Sequence, residues 1–239
     1  MKIVLFDLDG TLLPMDQNLF AKTYMKELAI KGGALGYDAP KLVHIVLAGV
    51  DVMVQNDGTM TNEERFWEFF MTHFGGEMET HIAVFEQFYL NEFARVAQVV
   101  SPTPLASQAV QILKAKGYEL VLATNPIFPK VATLERMRWA GLDPQDFRLI
   151  TTYENSRFTK PNLNYYREIL AKIGAQPEEC LMVGNDVLED ISVAKLGMEV
   201  FLVTDDLINS TGEEYSHLPQ GDRQGLLDYI QGLAPRGRN

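Results

Sequence analysis

Apolar residues fall into two regimes along the chain. In the first and later parts they form short continuous runs: Ile3 to Phe6, Leu120 to Ala123, Arg148 to Thr151, Leu181 to Val183 and Val200 to Val203. Continuous rather than alternating runs predict parallel strands covered on both faces. Between the later runs apolar positions recur at three- and four-residue steps. They predict helices over Leu105 to Lys116, Lys130 to Trp139, Leu163 to Ile173 and Asp190 to Leu196, closed by Gly117, Gly141, Gly174 and Gly197. Strand, helix, glycine, strand, repeated, predicts an α/β fold with a doubly wound parallel sheet, a Rossmann-like core. Ligands of such sheets sit at the carboxyl ends of the strands. Asp222 to Leu233 reads as a last amphipathic helix, and Ala234 to Asn239 as a frayed tail.

The second regime covers about Leu19 to Val99. It has no strand-like run, and its apolar residues keep helical spacing, as in Phe66, Phe69, Phe70 and Phe74, then Val84, Phe85, Phe88 and Phe93. Thr61 followed by Glu64 predicts a capping box opening one of these helices. Ser101-Pro102-Thr103-Pro104 reads as the return linker. The expected organisation is a catalytic core over residues 1–15 and 100–239, with a smaller all-helical cap domain over 16–99.

Composition adds constraints. An apolar fraction of 46% and a charged fraction of 22% over 239 residues are those of an ordinary globular protein. A net charge of −11 argues against nucleic acid and anionic membranes as partners, since their binders present basic surfaces. A metal ion and a few lysines can still make a local anion site. Cys180 is the single cysteine, so no intramolecular disulfide forms, and it reads as a small buried hydrophobe. The first residues are too short an apolar stretch to span a membrane, and the expected location is cytoplasmic.

The candidate chemistry lies at the ends of the apolar runs. The first ends in Asp7-Leu8-Asp9-Gly10-Thr11. Two carboxylates two residues apart off a strand point the same way, and like charges held together call for a cation. Oxygen-only ligands suit magnesium. The second run ends in Thr124 and Asn125, whose hydroxyl and amide can donate to phosphate oxygens, although Asn-Pro is also an ordinary turn signal. Thr159-Lys160-Pro161 places a lysine ahead of a helix, with Pro161 expected near the first turn. The fourth ends in Gly184-Asn185-Asp186-Val187-Leu188-Glu189-Asp190, which adds oxygen ligands at Asp186, while Glu189 and Asp190 equally suit helix capping.

Taken in order, these segments resemble the four motifs of the haloacid dehalogenase-like hydrolase superfamily. Asp7 to Thr11 matches the first, Thr124 with Asn125 the second, Lys160 the third and Gly184 to Asp190 the fourth. The resemblance covers about residues 1–15 and 100–205, with the helical insert where the family carries its first-type cap. It implies a magnesium-dependent phosphatase. Asp7 would be the nucleophile that is transiently phosphorylated, and Asp9 the general acid and base. Thr124, Asn125 and Lys160 would bind phosphate. The Asp7 side chain, the Asp9 backbone carbonyl and an acid of the fourth motif would bind Mg2+. The family has an acid directly after the fourth-motif glycine, where this chain has Asn185; the ligand role is expected at Asp186, with Asn185 or Asp190 assisting.

An acid at Asp9 separates phosphatases from the dehalogenases and phosphonate hydrolases of the superfamily. The expected substrate is a small phosphorylated metabolite. The alternatives are a phosphomutase returning the phosphoryl group to a sugar, and a non-catalytic binding protein that keeps the fold. A dinucleotide enzyme would need Gly-x-Gly-x-x-Gly after the first strand, where Asp7 to Thr11 stands. Met15, Phe20 and Tyr24 either border the pocket or pack the helices.

Overall fold

A computed structural model of the chain describes residues 1–236. Its centre is a six-stranded sheet of β1 (Ile3–Phe6), β2 (Glu119–Leu122), β3 (Leu149–Ile150), β4 (Cys180–Gly184), β5 (Glu199–Val203) and β6 (Gln220–Gly221). The strands run parallel in the order β3-β2-β1-β4-β5-β6. β1 is wholly buried because both of its edges are paired and both faces are covered. Val4 and Phe6 enter one apolar cluster while Ile3 and Leu5 enter the other, the two-residue period of a strand seen from its two faces.

The register sets the site. Phe6 lies opposite Leu122 on one side and Val183 on the other. The residues that follow, Asp7, Ala123 and Gly184, therefore leave the sheet at one level. The order also reverses direction at β1, between β2 and β4, which is where such sheets open a crevice.

Helices α5 (Pro104–Ala115), α6 (Lys130–Trp139), α7 (Leu163–Ile173) and α8 (Arg223–Gly232) cover the sheet; four more, α1 (Gln17–Ala34), α2 (Ala39–Val54), α3 (Asn62–Met71) and α4 (Met78–Asn91), fill the stretch between β1 and α5. The capping box at Thr61 and Glu64 is formed. The aromatic positions of α3 and α4 interlock, with Phe70 and Phe85 rings edge to face at 5.5 Å. One apolar cluster runs from Phe6 and Leu122 on the sheet through Phe93 into Phe66 and Phe88, so these helices share hydrophobic core with the sheet.

The start of α3 is also bolted down by polar contacts. Asn62 is fully buried; its Nδ2 donates to Pro126 O at 3.1 Å and to Phe158 O at 3.3 Å, and its Oδ1 accepts from Asn56 Nδ2 at 2.9 Å. Its backbone N–H donates to Ser156 O at 2.8 Å.

Four expectations need correcting. The run Arg148 to Thr151 yields only the two-residue, half-buried strand β3, because β2 alone pairs with it and Thr151 turns its hydroxyl onto Thr124 O at 2.7 Å. Asp190 to Leu196 forms a 3-10 segment, Ile191–Leu196, ended by Gly197 in the left-handed region; the Asp190 carboxylate is drawn into the site and gives the segment no side-chain cap. Pro161 precedes the helix cap Asn162 rather than sitting in the first turn of α7. The tail is held at its start: Ala234 O accepts from Tyr118 Oη at 3.0 Å, and Arg236 N–H donates to Lys116 O at 2.8 Å. The rest of that expected tail, 237–239, lies outside the described residues.

Candidate active site

Asp7 is the first residue past β1, and its N–H donates to Val183 O at 2.9 Å, which prolongs the parallel pairing by one step. Its Oδ1 accepts from Lys160 Nζ at 2.8 Å and its Oδ2 from Thr11 Oγ1 at 3.2 Å. The chain then folds back on itself: Leu13 N–H donates to Leu8 O at 2.8 Å and Gly10 N–H to Leu13 O at 2.8 Å. Gly10 makes this turn with φ of 86°, and a Cβ there would meet the Asn185 amide at 2.4 Å.

That turn delivers Asp9 to the same cavity as Asp7. Asp9 Oδ2 is ion-paired with Arg136 Nη1, while its Oδ1 is buried without a partner. Burial raises the Asp9 carboxyl above the usual range, Arg136 pulls it back, and the Asp7 charge raises it again. Arg136 is fully buried, and its guanidinium lies over the Phe128 ring at 4.4 Å.

Lys160 is also buried, with Nζ 2.8 Å from Asp7 Oδ1 and 2.5 Å from Asp190 Oδ1. Burial pushes its ammonium down, but the two carboxylates outweigh that and hold it well above the ordinary lysine range. It stands behind Asp7 and Asp190 rather than on the cavity wall. Asp190 Oδ2 accepts from the backbone N–H of Asn185 at 3.1 Å and of Asp186 at 3.0 Å. A Cβ on Gly184 would lie 2.2 Å from that carboxylate, so glycine is what lets Asp190 fold under the loop. Asp190 thus links lysine to loop, with both oxygens engaged.

The fourth-motif loop divides its tasks. Asn185 Oδ1 accepts from Thr11 Oγ1 at 3.0 Å and its Nδ2 donates to Asp206 O at 2.6 Å, which ties the loop to the first-motif turn. Asp186 faces the cavity; its Oδ1 accepts from the N–H groups of Leu188 at 2.8 Å and Glu189 at 2.9 Å, leaving Oδ2. Thr124 lines the cavity as well, and its carbonyl accepts from Tyr165 Oη at 2.8 Å. Asn125 braces: its Nδ2 donates to Glu189 Oε1 and Oε2 at 3.1 and 3.2 Å, and its Oδ1 accepts from Lys160 N at 3.3 Å.

The first 197 residues match the family model of haloacid dehalogenase-like hydrolases. The chain belongs to that family. Among its relatives, the glyceraldehyde 3-phosphate phosphatase of Methanothermobacter thermautotrophicus is 29% identical, over 95% of this chain and 93% of that protein. The phosphoglycolate phosphatase of Aquifex aeolicus is 25% identical over 82% and 80%. With such relatives, this haloacid dehalogenase-like hydrolase is a phosphohydrolase. Its fold matches solved structures along nearly the whole chain. A phosphatase of the family from Thermococcus onnurineus superposes with a TM-score of 0.59 at 20% identity, covering 99% of this chain and 100% of that one. A 2-haloacid dehalogenase from Pseudomonas syringae gives 0.63 at 20%, covering 97% and 98%.

Three participants escape a motif-based reading of this hydrolase. Arg136 was detectable: on α6 it falls in the same helical row as Ala132, Thr133, Met137 and Ala140, an arginine among small and apolar positions. Glu189, read as a helix cap, lines the cavity instead, and burial lifts its carboxyl to about 7 even against Lys160. Arg223, at the start of α8, donates from Nε to Thr11 O at 3.0 Å and from Nη2 to Gly10 O at 2.6 Å. It holds the first-motif turn from the far end of the chain, and no local pattern announces it.

Proposed function

We propose that the chain hydrolyses a small-molecule phosphate monoester in two steps through Asp7, with Mg2+ as cofactor. The observation that carries this reading is the pairing on one cavity of two differently equipped carboxyls. Asp7 is backed by a buried cation, and Asp9 has one free oxygen and a carboxyl raised by burial.

In the first step an Asp7 oxygen attacks phosphorus, the bond to the ester oxygen breaks, and Asp9 gives its proton to the departing alkoxide. In the second, Asp9 takes a proton from water, whose oxygen attacks the phosphorus held on Asp7. Phosphate leaves and both carboxyls return to their starting state. Thr124 donates to the phosphoryl oxygens, while Lys160 offsets their charge from behind Asp7.

The donor set fits a hard divalent ion. Asp7 and Asp186 would hold it with the Asp9 backbone carbonyl, an all-oxygen set on a cavity whose charged lining residues are all acids. Among the described residues no three Asp, Glu, His or Cys side chains converge as the ligands of one ion would. Magnesium keeps several waters and binds through one or two carboxylates plus substrate phosphate. The ion would supply Lewis-acid stabilisation of the phosphoryl charge.

Cytoplasmic location remains part of this proposal; among the described residues no helix is long and apolar enough to cross a membrane. The phosphomutase reading is weakened by the mostly apolar cavity wall, which offers few partners to sugar hydroxyls. A panel of phosphate esters assayed with magnesium, and repeated on Asp7→Asn, tests the proposal. Turnover in the wild type and its near-complete loss in a folded variant are expected; undiminished hydrolysis by the variant would overturn it.

A further inference from the structure

The cavity above Asp7 and Asp9 has a volume of about 330 Å³, and its two ends differ in chemistry. The floor carries the acids. The wall contributed by α1 to α4 and the α6 approach is mostly hydrocarbon, including Phe20, Met25, Val50, Met53, Phe85 and Phe128, and its further polar groups, on Gln17, Trp67 and Tyr153, are uncharged. No lysine, arginine or histidine lines it among the described residues. The polar tips in the wall are partly spent on one another: Tyr24 Oη and Tyr89 Oη share a hydrogen bond at 2.8 Å.

An ester whose alcohol part carried a carboxylate or a second phosphate would place that anion in this wall with no cation to meet it. It would also share the cavity with Asp186 and Glu189. Burying an unpaired charge is strongly unfavourable, and unpaired hydroxyls carry a smaller penalty of the same kind. A hydrocarbon group has neither problem and gains from leaving water.

Resting on the phosphatase reading above, we infer that the substrate is a phosphate monoester of an uncharged, apolar alcohol, alkyl or aryl, whose hydrocarbon the cavity buries.

The test uses the full chain with magnesium and compares kcat/KM for ethyl, butyl, hexyl and phenyl phosphate with phosphoglycolate and glucose 6-phosphate. Each buried methylene improves kcat/KM roughly fourfold up to the size limit, a gain taken from the free energy of burying CH2. The alkyl series keeps leaving-group chemistry nearly constant, so the trend reads the wall. Hexyl and phenyl phosphate are expected to exceed the two polar esters at least about tenfold. If phosphoglycolate or glucose 6-phosphate equals them while Asp7→Asn abolishes every activity, the inference on the alcohol fails and the phosphatase reading stands. If no ester is hydrolysed, that reading falls and takes the inference with it.

A rim variant gives a second measurement. Leu47 borders the cavity yet is 48% exposed, so Leu47→Arg adds a cation without burying it. The hexyl-to-phosphoglycolate ratio should drop about tenfold in that variant, with phosphoglycolate improving. An unchanged ratio in the folded variant would contradict an apolar wall as the source of selectivity.

Discussion

Arg136 reaches from the middle of α6 to Asp9 and pairs with one of its two carboxyl oxygens, leaving the other buried and free. The pair fixes which Asp9 oxygen meets the substrate. Burial alone would lift the Asp9 carboxyl further than it stands, and the guanidinium restrains it. Arg136→Met, similar in bulk without charge, should therefore move the alkaline limb of the kcat profile governed by Asp9 to higher pH. Loss of a buried partner should also destabilise the fold by about 3 kcal/mol, toward the low end for such pairs because Asp9 remains open to the cavity. A pH profile that stays in place would show that Arg136 is structural only.

Lys160 has no water to return to, and it separates Asp7 from Asp190. Lys160→Met would leave those carboxylates facing each other. Turnover should fall by roughly 10²- to 10³-fold, as when a positioned charge-stabilising donor is removed. Thermal unfolding of the same variant should come at lower temperature at pH 8, with part of the loss recovered at pH 5, where protonation of Asp190, whose carboxyl is raised by burial, relieves the repulsion. Equal losses at both pH values would contradict a charge-neutralising role.

Asn62 connects the start of α3 to the loops after β2 and β3 through side-chain bonds to Pro126 O and Phe158 O. Asn62→Ala removes them and strands buried carbonyls. Expected effects are about 2 kcal/mol of stability and about 4–8 °C in Tm. Calorimetry checks this, and a variant within 1 °C of wild type (on a scale of about 2–4 °C per kcal/mol) would show that apolar packing alone holds α3 in place.

Alkaline pH should unfold the protein cooperatively. Burial pushes the Tyr24 phenol up to about 12 and the Cys180 thiol up to about 11. Both ionise more readily in the unfolded chain, near pH 10 for tyrosine and about 8.5 for cysteine. The folded state binds these protons more tightly, so their contribution is complete below the unfolded values and is lost as pH rises from those values through the folded ones. Urea titrations should give lower stability at pH 10.5 than at pH 8, and iodoacetamide should modify Cys180 only as the protein unfolds. Rapid alkylation of the native protein at pH 8 would contradict the burial of Cys180.

The sequence was most legible where chemistry is carried by neighbours in the chain. Asp7, Asp9, Thr124 and Asp186 follow apolar runs, and the sheet register brings all four to one cavity. Long-range bracing was hidden. Arg223 supports the Gly10 turn across more than two hundred residues, and nothing in the local pattern around Asp222 distinguishes it from an ordinary helix start. In sequence Asp190 suits a metal ligand or a helix cap equally, since sequence does not show that Gly184 leaves room for it beneath the loop. Lys160 was expected to face phosphate, whereas burial against Asp7 and Asp190 sets it one layer back. The strand β3 is shorter than its apolar run because the Thr151 hydroxyl takes Thr124 O, and the segment after Asp190 lacks a side-chain cap because that carboxylate turns to Lys160 and the Asn185 N–H.

The central claim is that Asp7 carries the phosphoryl group. Rapid quenching during turnover with magnesium, followed by borohydride reduction and peptide mapping, converts an acyl phosphate into a homoserine at its position. Homoserine at position 7, absent without substrate, is the predicted result; continued turnover with position 7 unmodified, or the label at another acid, would contradict it.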